Sequence, residues 1–226
     1  MVSSLLVLSK FLYLASATLT IGHLLLLLFF VRNKEGAIKE EFLYLRKRIS
    51  LFAWVWALST IIFILATLAS ILDLPFSSAF DLTMLRSFLT QISLGKSLAL
   101  QTIGALVVAL WSSRVKKVSY GALILALSIV SISIPVFQSH SASGGSHLIA
   151  IGTLLIHVIA ITLWIGSLTA IIINRKIELH SVIARYSQLA LWAALSVVAS
   201  GAINAWIRLH LSDAWRSTYG LLVIEK

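Results

Sequence analysis

The side chains of this 226-residue chain best suited to metal chemistry concentrate in one stretch, Ser139 to Ser167, "SHSASGGSHLIAIGTLLIHVIAITLWIGS". It holds His140, His147 and His157, three of the chain's six histidines. Imidazole suits copper, zinc, iron and nickel alike, so residue type alone selects none of them. The chain has no cysteine, which excludes disulfides, thiolate ligands and cysteine-held iron–sulfur clusters. Soft-metal chemistry must then rest on histidine, methionine or a partner, a composition that favours an exposed Cu(II) site or a transient Cu(I) site. His140 and His147 flank Ser141 to Ser146, whose two glycines allow a tight turn that could bring two imidazoles together. Ordinary solvent-facing loop histidines are the other reading. His157 follows His147 by about ten residues, or about 15 Å along a continuous helix. One ion on all three therefore requires the backbone at His147 to leave that helix.

His157 sits well inside an apolar run, where an ionisable group is costly and faces a bundle interior or a cavity. It serves either as a neutral hydrogen-bonding residue or as a functional one. Trp164 lies almost on the same helical face, and Gly166 permits close helix approach. His210, near Arg208, Asp213 and Arg216, is a further candidate metal contact or a lone interfacial histidine. His23 in the first apolar run matches His157 in type as a pair of axial haem ligands. Their expected depths differ, and a structural His23 is the alternative. In "SGAINAW", Asn204 between Gly201 and Trp206 either bonds a neighbouring helix or lines a transport route.

The elements that must position these residues are membrane spans. Hydrophobic residues make up 59% of the chain and charged residues 12%, with a mean hydropathy of +1.00, far from a soluble domain. Apolar runs over 5–31, 49–72, 94–111, 118–137, 148–173 and 188–208 approach or exceed the roughly 20 residues that cross a bilayer. Helices satisfy their own backbone there, so the expected fold is all-α: a polytopic transmembrane helical bundle of six spans. A partial seventh begins near Tyr219 in "TYGLLVIEK". The whole of 1–226 reads as one integral-membrane domain, incomplete at its C-terminus. The first run is too long for a signal peptide's apolar core, and no positive cluster precedes it.

The net charge of +10 follows topology rather than a nucleic-acid footprint. Arg32, Lys34, Lys39, Arg46, Lys47 and Arg48 fall in the first connection. Arg114, Lys116 and Lys117 fall in the third, and Arg175, Lys176 and Arg185 in the fifth. The positive-inside rule puts these alternate connections in the cytoplasm and the N-terminus outside. Residues 138–147 are then an external histidine-containing loop. Residues 73–91 form an external segment in which Phe76, Phe80, Met84 and Phe88 recur at a spacing that suits a short amphipathic helix lying at the interface. An irregular loop packed on the bundle is the alternative.

A weak parallel internal repeat is also legible. "YLASATLTIGH" from Tyr13 lies over "HVIAITLWIGS" from His157, pairing Gly22 with Gly166. "ISLFAWVWALS" from Ile49 lies over "YSQLALWAALS" from Tyr186, and "SLGKSLALQ" from Ser93 over "TYGLLVIEK" from Thr218. No phosphate loop, dinucleotide fingerprint, metalloprotease helix or nucleophile–base constellation appears, so the chain is not expected to be an enzyme.

In order along the chain, "SHSASGG" at 139–145, "LLIHVIAITLWIGSL" at 154–168, "YSQLA" from Tyr186, "SGAINAW" from Ser200 and "TYGLLVIEK" from Thr218 resemble the bacterial copper resistance protein D family. That family consists of polytopic membrane proteins implicated in copper uptake or handling. The resemblance implies a copper ion as cargo, with His140 and His157 as first candidates and His147 as a third. It further implies a multi-pass protein of the bacterial cell membrane and a periplasmic or extracellular copper donor. A cytochrome-oxidase assembly module, fused or as a partner, is implied as well. Two departures stand out: Ser167 follows Gly166 where the family has a second glycine, and Leu221 replaces a basic residue. A copper permease component is the leading expectation. A non-transport assembly or scaffold module with structural histidines is the alternative, and a membrane haem protein a third.

Overall fold

A computed structural model describes residues 2–30, 40–138, 147–174 and 179–210. The chain is all-helical over these residues: α1 Val2–Leu25, α2 Tyr44–Leu72, α3 Leu82–Gln91, α4 Ser93–Ser112, α5 Val118–Ser133, α6 His147–Ile173 and α7 Leu179–His210. A π-helical turn, Leu26–Phe30, prolongs α1, and a 3₁₀ turn, Ile134–Gln138, prolongs α5. Six stretches are long and apolar enough to cross a membrane: Val2–Phe29, Tyr44–Leu72, Ser93–Ser112, Val118–Gln138, Leu148–Ile173 and Val182–Trp206. Their bounds follow the apolar runs because bilayer thickness, rather than helix propensity, sets the length of each span. The seventh span expected near Tyr219 and the loop expected over 138–147 fall, apart from Gln138 and the first turn of α6, outside the described residues.

α1 is the central element, packing on α2, α5 and α6. Every residue from Thr20 to Leu28 is buried. Leu26, Leu27 and Leu28 have no exposed surface; a helix buried on successive positions is enclosed on all sides. Tyr13 meets Phe63 of α2 with ring centroids 5.3 Å apart. α4 and α2 lie side by side, tied by Ser50 Oγ donating to the Ala109 carbonyl at 2.7 Å. α6 and α7 form a hairpin that leaves large apolar side chains, among them Leu191, Trp192 and Val198, facing outward.

Basic side chains gather at one end of the bundle. Arg46 Nη1 donates to the Val115 carbonyl at 3.0 Å, Arg48 Nη1 to Asn174 Oδ1 at 2.8 Å, and Arg185 Nη1 to the Phe29 carbonyl at 2.8 Å. The end of α1, the start of α2, the segment after α4, the end of α6 and the start of α7 therefore meet at one level. This is the alternation expected of antiparallel neighbours.

Residues 73–91 contain a short helix, α3, which covers only the second half of the segment. A 3₁₀ turn, Phe76–Phe80, stops at Asp81, and α3 begins afresh after it. The Asp81 carboxylate accepts from the backbone N–H groups of Thr83 at 2.8 Å and Met84 at 3.0 Å, which is a helix start, not a helix interior. The aromatic stripe is split accordingly. Phe88 is buried, while Phe80 is exposed and packs edge-on against Phe76.

Candidate functional site

The α6–α7 hairpin carries a polar seam inside its membrane-spanning length. Thr153, His157 and Trp164 share one face of α6, because separations of four and seven residues return to the same side of a helix. Facing them, α7 presents Asn204, Ser200 with Gly201, and Tyr186. Thr153 Oγ1 lies 2.8 Å from Asn204 Oδ1, His157 Nδ1 lies 3.1 Å from Ser200 Oγ, and the Trp164 side chain lies near that of Tyr186. The three pairs run down the hairpin in antiparallel order.

The hydrogen-bond directions define the chemistry available at His157. With the Ser200 hydroxyl hydrogen on the Ser196 carbonyl, Oγ accepts from His157 in the tautomer that carries its proton on Nδ1. In that tautomer Nε2 bears the lone pair, and it has no hydrogen-bond partner among the described residues. An imidazole oriented through one nitrogen, with the other free, has the form of a metal-binding histidine held from behind. Gly201 lies alongside the ring: a Cβ added there would stand 3.7 Å from His157 Cε1 and 3.8 Å from Nδ1, an ordinary contact that an alanine would tolerate.

Asn204 bridges to α6, and the bond is worth modestly more than nothing in a bilayer. Asn204→Leu is expected to lower hairpin stability by about 0.6 kcal/mol, a typical value for interhelical hydrogen bonds in membranes. Denaturation in mixed micelles checks this, and a loss of several kcal/mol would show that Asn204 supports more than Thr153.

His23 occupies a different site. It is completely buried, with Nδ1 on the Leu19 carbonyl at 2.8 Å and Nε2 facing Asn174 Nδ2 at 3.2 Å. The second hydrogen of Asn174 Nδ2 goes to the Ala170 carbonyl at 2.7 Å, and Asn174 Oδ1 accepts from Arg48. Phe52 covers the imidazole at a ring distance of 5.0 Å. Both His23 nitrogens are thus committed to protein partners, which leaves none for a haem iron shared with His157. Sequence inspection treats Arg48 as a topology charge and passes over Asn174; only contact between α1, α2 and α6 reveals the network. Gln101 of α4 is completely buried, and neither amide atom has a partner among the described residues.

Gly166 meets Gly22 of α1 at the α1–α6 crossing, where a Cβ on either residue would overlap the other helix's backbone. Trp206 is exposed. The backbone of His147 opens α6, which is helical without interruption as far as His157, so these two histidines are separated by about 15 Å. A single ion cannot take both directly. His140 lies outside the described residues, as do the side chains of His147 and His210. Among the described residues no three histidine, aspartate or glutamate side chains gather as a metal cluster.

Six apolar helices enclosing isolated polar networks define a multi-pass α-helical membrane protein. Two family models match it: "Copper resistance protein D-like, N-terminal domain" over residues 1–148 and "Copper resistance protein D" over residues 180–226. The chain belongs to the copper resistance protein D family. Residues 149–179, His157 included, lie between the two matched segments. No curated protein and no solved structure matches the chain.

Proposed function

We propose that the chain handles copper as a permease component, with His157 as the contact inside the membrane. The observation that carries this reading is the orientation of His157: Ser200 holds Nδ1 at 3.1 Å and leaves the Nε2 lone pair available. The family's name supports copper as the cargo. A single imidazole in an apolar hairpin suits a point of passage better than storage, because an ion held by one protein ligand exchanges readily. His140 and His147 would receive copper from a periplasmic or extracellular donor at the outer loop, with His210 as a further contact. The ion would then move inward to His157, while Trp164 and the small Gly201 shape the space around the ring. Delivery to a cytochrome-oxidase assembly partner is one destination consistent with the family resemblance.

Copper binding in lipid nanodiscs tests the assignment. His157→Ala is expected to weaken binding at least tenfold. Ser200→Ala, which removes only the orienting partner, should weaken it by about tenfold, as loss of an outer-shell hydrogen bond typically does. His140→Ala and His147→Ala should slow loading from the outer face. Unchanged copper affinity in folded His140→Ala, His147→Ala and His157→Ala variants would sink the site. Copper flux into proteoliposomes separates a permease from a scaffold, for which protein-dependent flux would be absent.

A further inference from the structure

The two helical hairpins treat equivalent arginines differently. Placing Ile49 over Tyr186 puts Arg48 of α2 over Arg185 of α7, and placing Tyr13 over His157 puts Gly22 over Gly166. The contacts obey this pairing. Gly22 and Gly166 meet each other. Tyr13 packs on Phe63, and the corresponding positions, His157 and Ser200, are also in contact. Arg48 reaches across to Asn174 at the end of α6, while Arg185 reaches across to Phe29 at the end of α1. The cross-contacts are reciprocal, as in an interface between two copies related by a two-fold axis.

The surroundings of the two arginines are not the same. Arg48 is partly buried, donates to a side-chain oxygen and stacks over the Tyr44 ring at 5.6 Å. Beside it, His23 and Phe52 fill the space between helices. Arg185 is exposed and donates to the Phe29 backbone carbonyl. Beside it lies an apolar groove of about 950 Å³ between α1, α6 and α7, walled by Phe29, Ala160, Leu163 and Ala193 and reaching Ser196. From Arg185 to Ser196 α7 rises about 16 Å, the depth of one leaflet of a hydrocarbon core about 30 Å thick.

We propose that this groove is a binding site for one anionic phospholipid, its acyl chain lying between α1, α6 and α7 and its headgroup phosphate on Arg185. Charge complementarity selects the lipid class: the arginine stands at the end of the bundle where basic residues gather, and basic pockets between membrane helices on that side recruit anionic headgroups. The inner end of the groove touches the copper candidate indirectly, since the Ser196 carbonyl holds the Ser200 hydroxyl that orients His157. The lipid site itself does not depend on the copper reading.

Native mass spectrometry of the detergent-solubilised chain with equimolar phosphatidylglycerol and phosphatidylcholine tests this. The wild type should retain phosphatidylglycerol about fivefold better, the effect of one basic side chain at a membrane surface. Arg185→Gln should bring the two lipids level, and Ala193→Trp, which fills the groove, should reduce retention of both. Equal retention by the wild type, an undiminished preference in Arg185→Gln, undiminished retention in Ala193→Trp, or a dimer in place of bound lipid would each overturn the proposal. Should Arg185→Gln not fold, the wild-type comparison decides headgroup selectivity and Ala193→Trp decides location.

Discussion

Gly166→Ala is expected to prevent α1 and α6 from closing at their crossing. A Cβ at Gly166 would overlap the Thr18 carbonyl, and one at Gly22 would overlap the Gly166 carbonyl. The obstruction is backbone on both sides, so no rotamer change relieves it and the helices must move apart. Overpacking of this kind costs roughly 3 kcal/mol or more when the neighbours cannot yield. In a bilayer the consequence is sharp, because close packing rather than hydrophobic burial holds helices together. Gly152→Ala is the internal control, since an added Cβ there meets nothing within 4 Å. Unfolding in a titration with denaturing detergent should separate the two variants by a large shift in midpoint. Coincident curves would show that the crossing is looser than drawn.

Asn174→Ala should be nearly as damaging, for an electrostatic reason. The single amide serves Arg48 through Oδ1 and His23 through Nδ2, so its removal strands a guanidinium and an imidazole nitrogen together. Losing a hydrogen bond to a charged group while leaving a buried acceptor unpaired costs roughly 3 kcal/mol. The same detergent titration measures it. Adding Arg48→Met to Asn174→Ala should cost less than the sum of the two single losses, since the second change removes a partner already orphaned. Strict additivity would mean that the network is not coupled.

The span pattern was legible because it depends on one number, the thickness of hydrocarbon, and apolar run length reports it directly. The face shared by His157 and Trp164 follows from helical periodicity alone, and both residues do meet α7. The break at Asp81 is hard to read because a four-residue aromatic spacing runs across a capping signal: an aspartate with threonine two positions on starts a helix as readily as it decorates one. The His23–Asn174–Arg48 network could not have been found by spacing, since His23 and Asn174 are separated by 151 positions and no periodicity links them. Asn174 stands beside the charged connection and looks like a loop residue. The pairing of Gly22 with Gly166 was visible as a sequence coincidence, but that the two positions touch is a fact about the bundle.

The enclosure of α1 has a consequence for how the protein is made. Among the described spans, α1 is made before α6, yet it is the one that ends fully surrounded, from Thr20 to Leu28. Until α6 has been synthesised, His23 has no Asn174 and Gly22 has no opposing glycine. During that interval the buried imidazole has only its own helix's Leu19 carbonyl as a hydrogen-bond partner. The packing of α1 is therefore completed only by a segment synthesised well after it. Defects at Gly166 or Asn174 would surface as a first span that the cell has inserted and cannot finish.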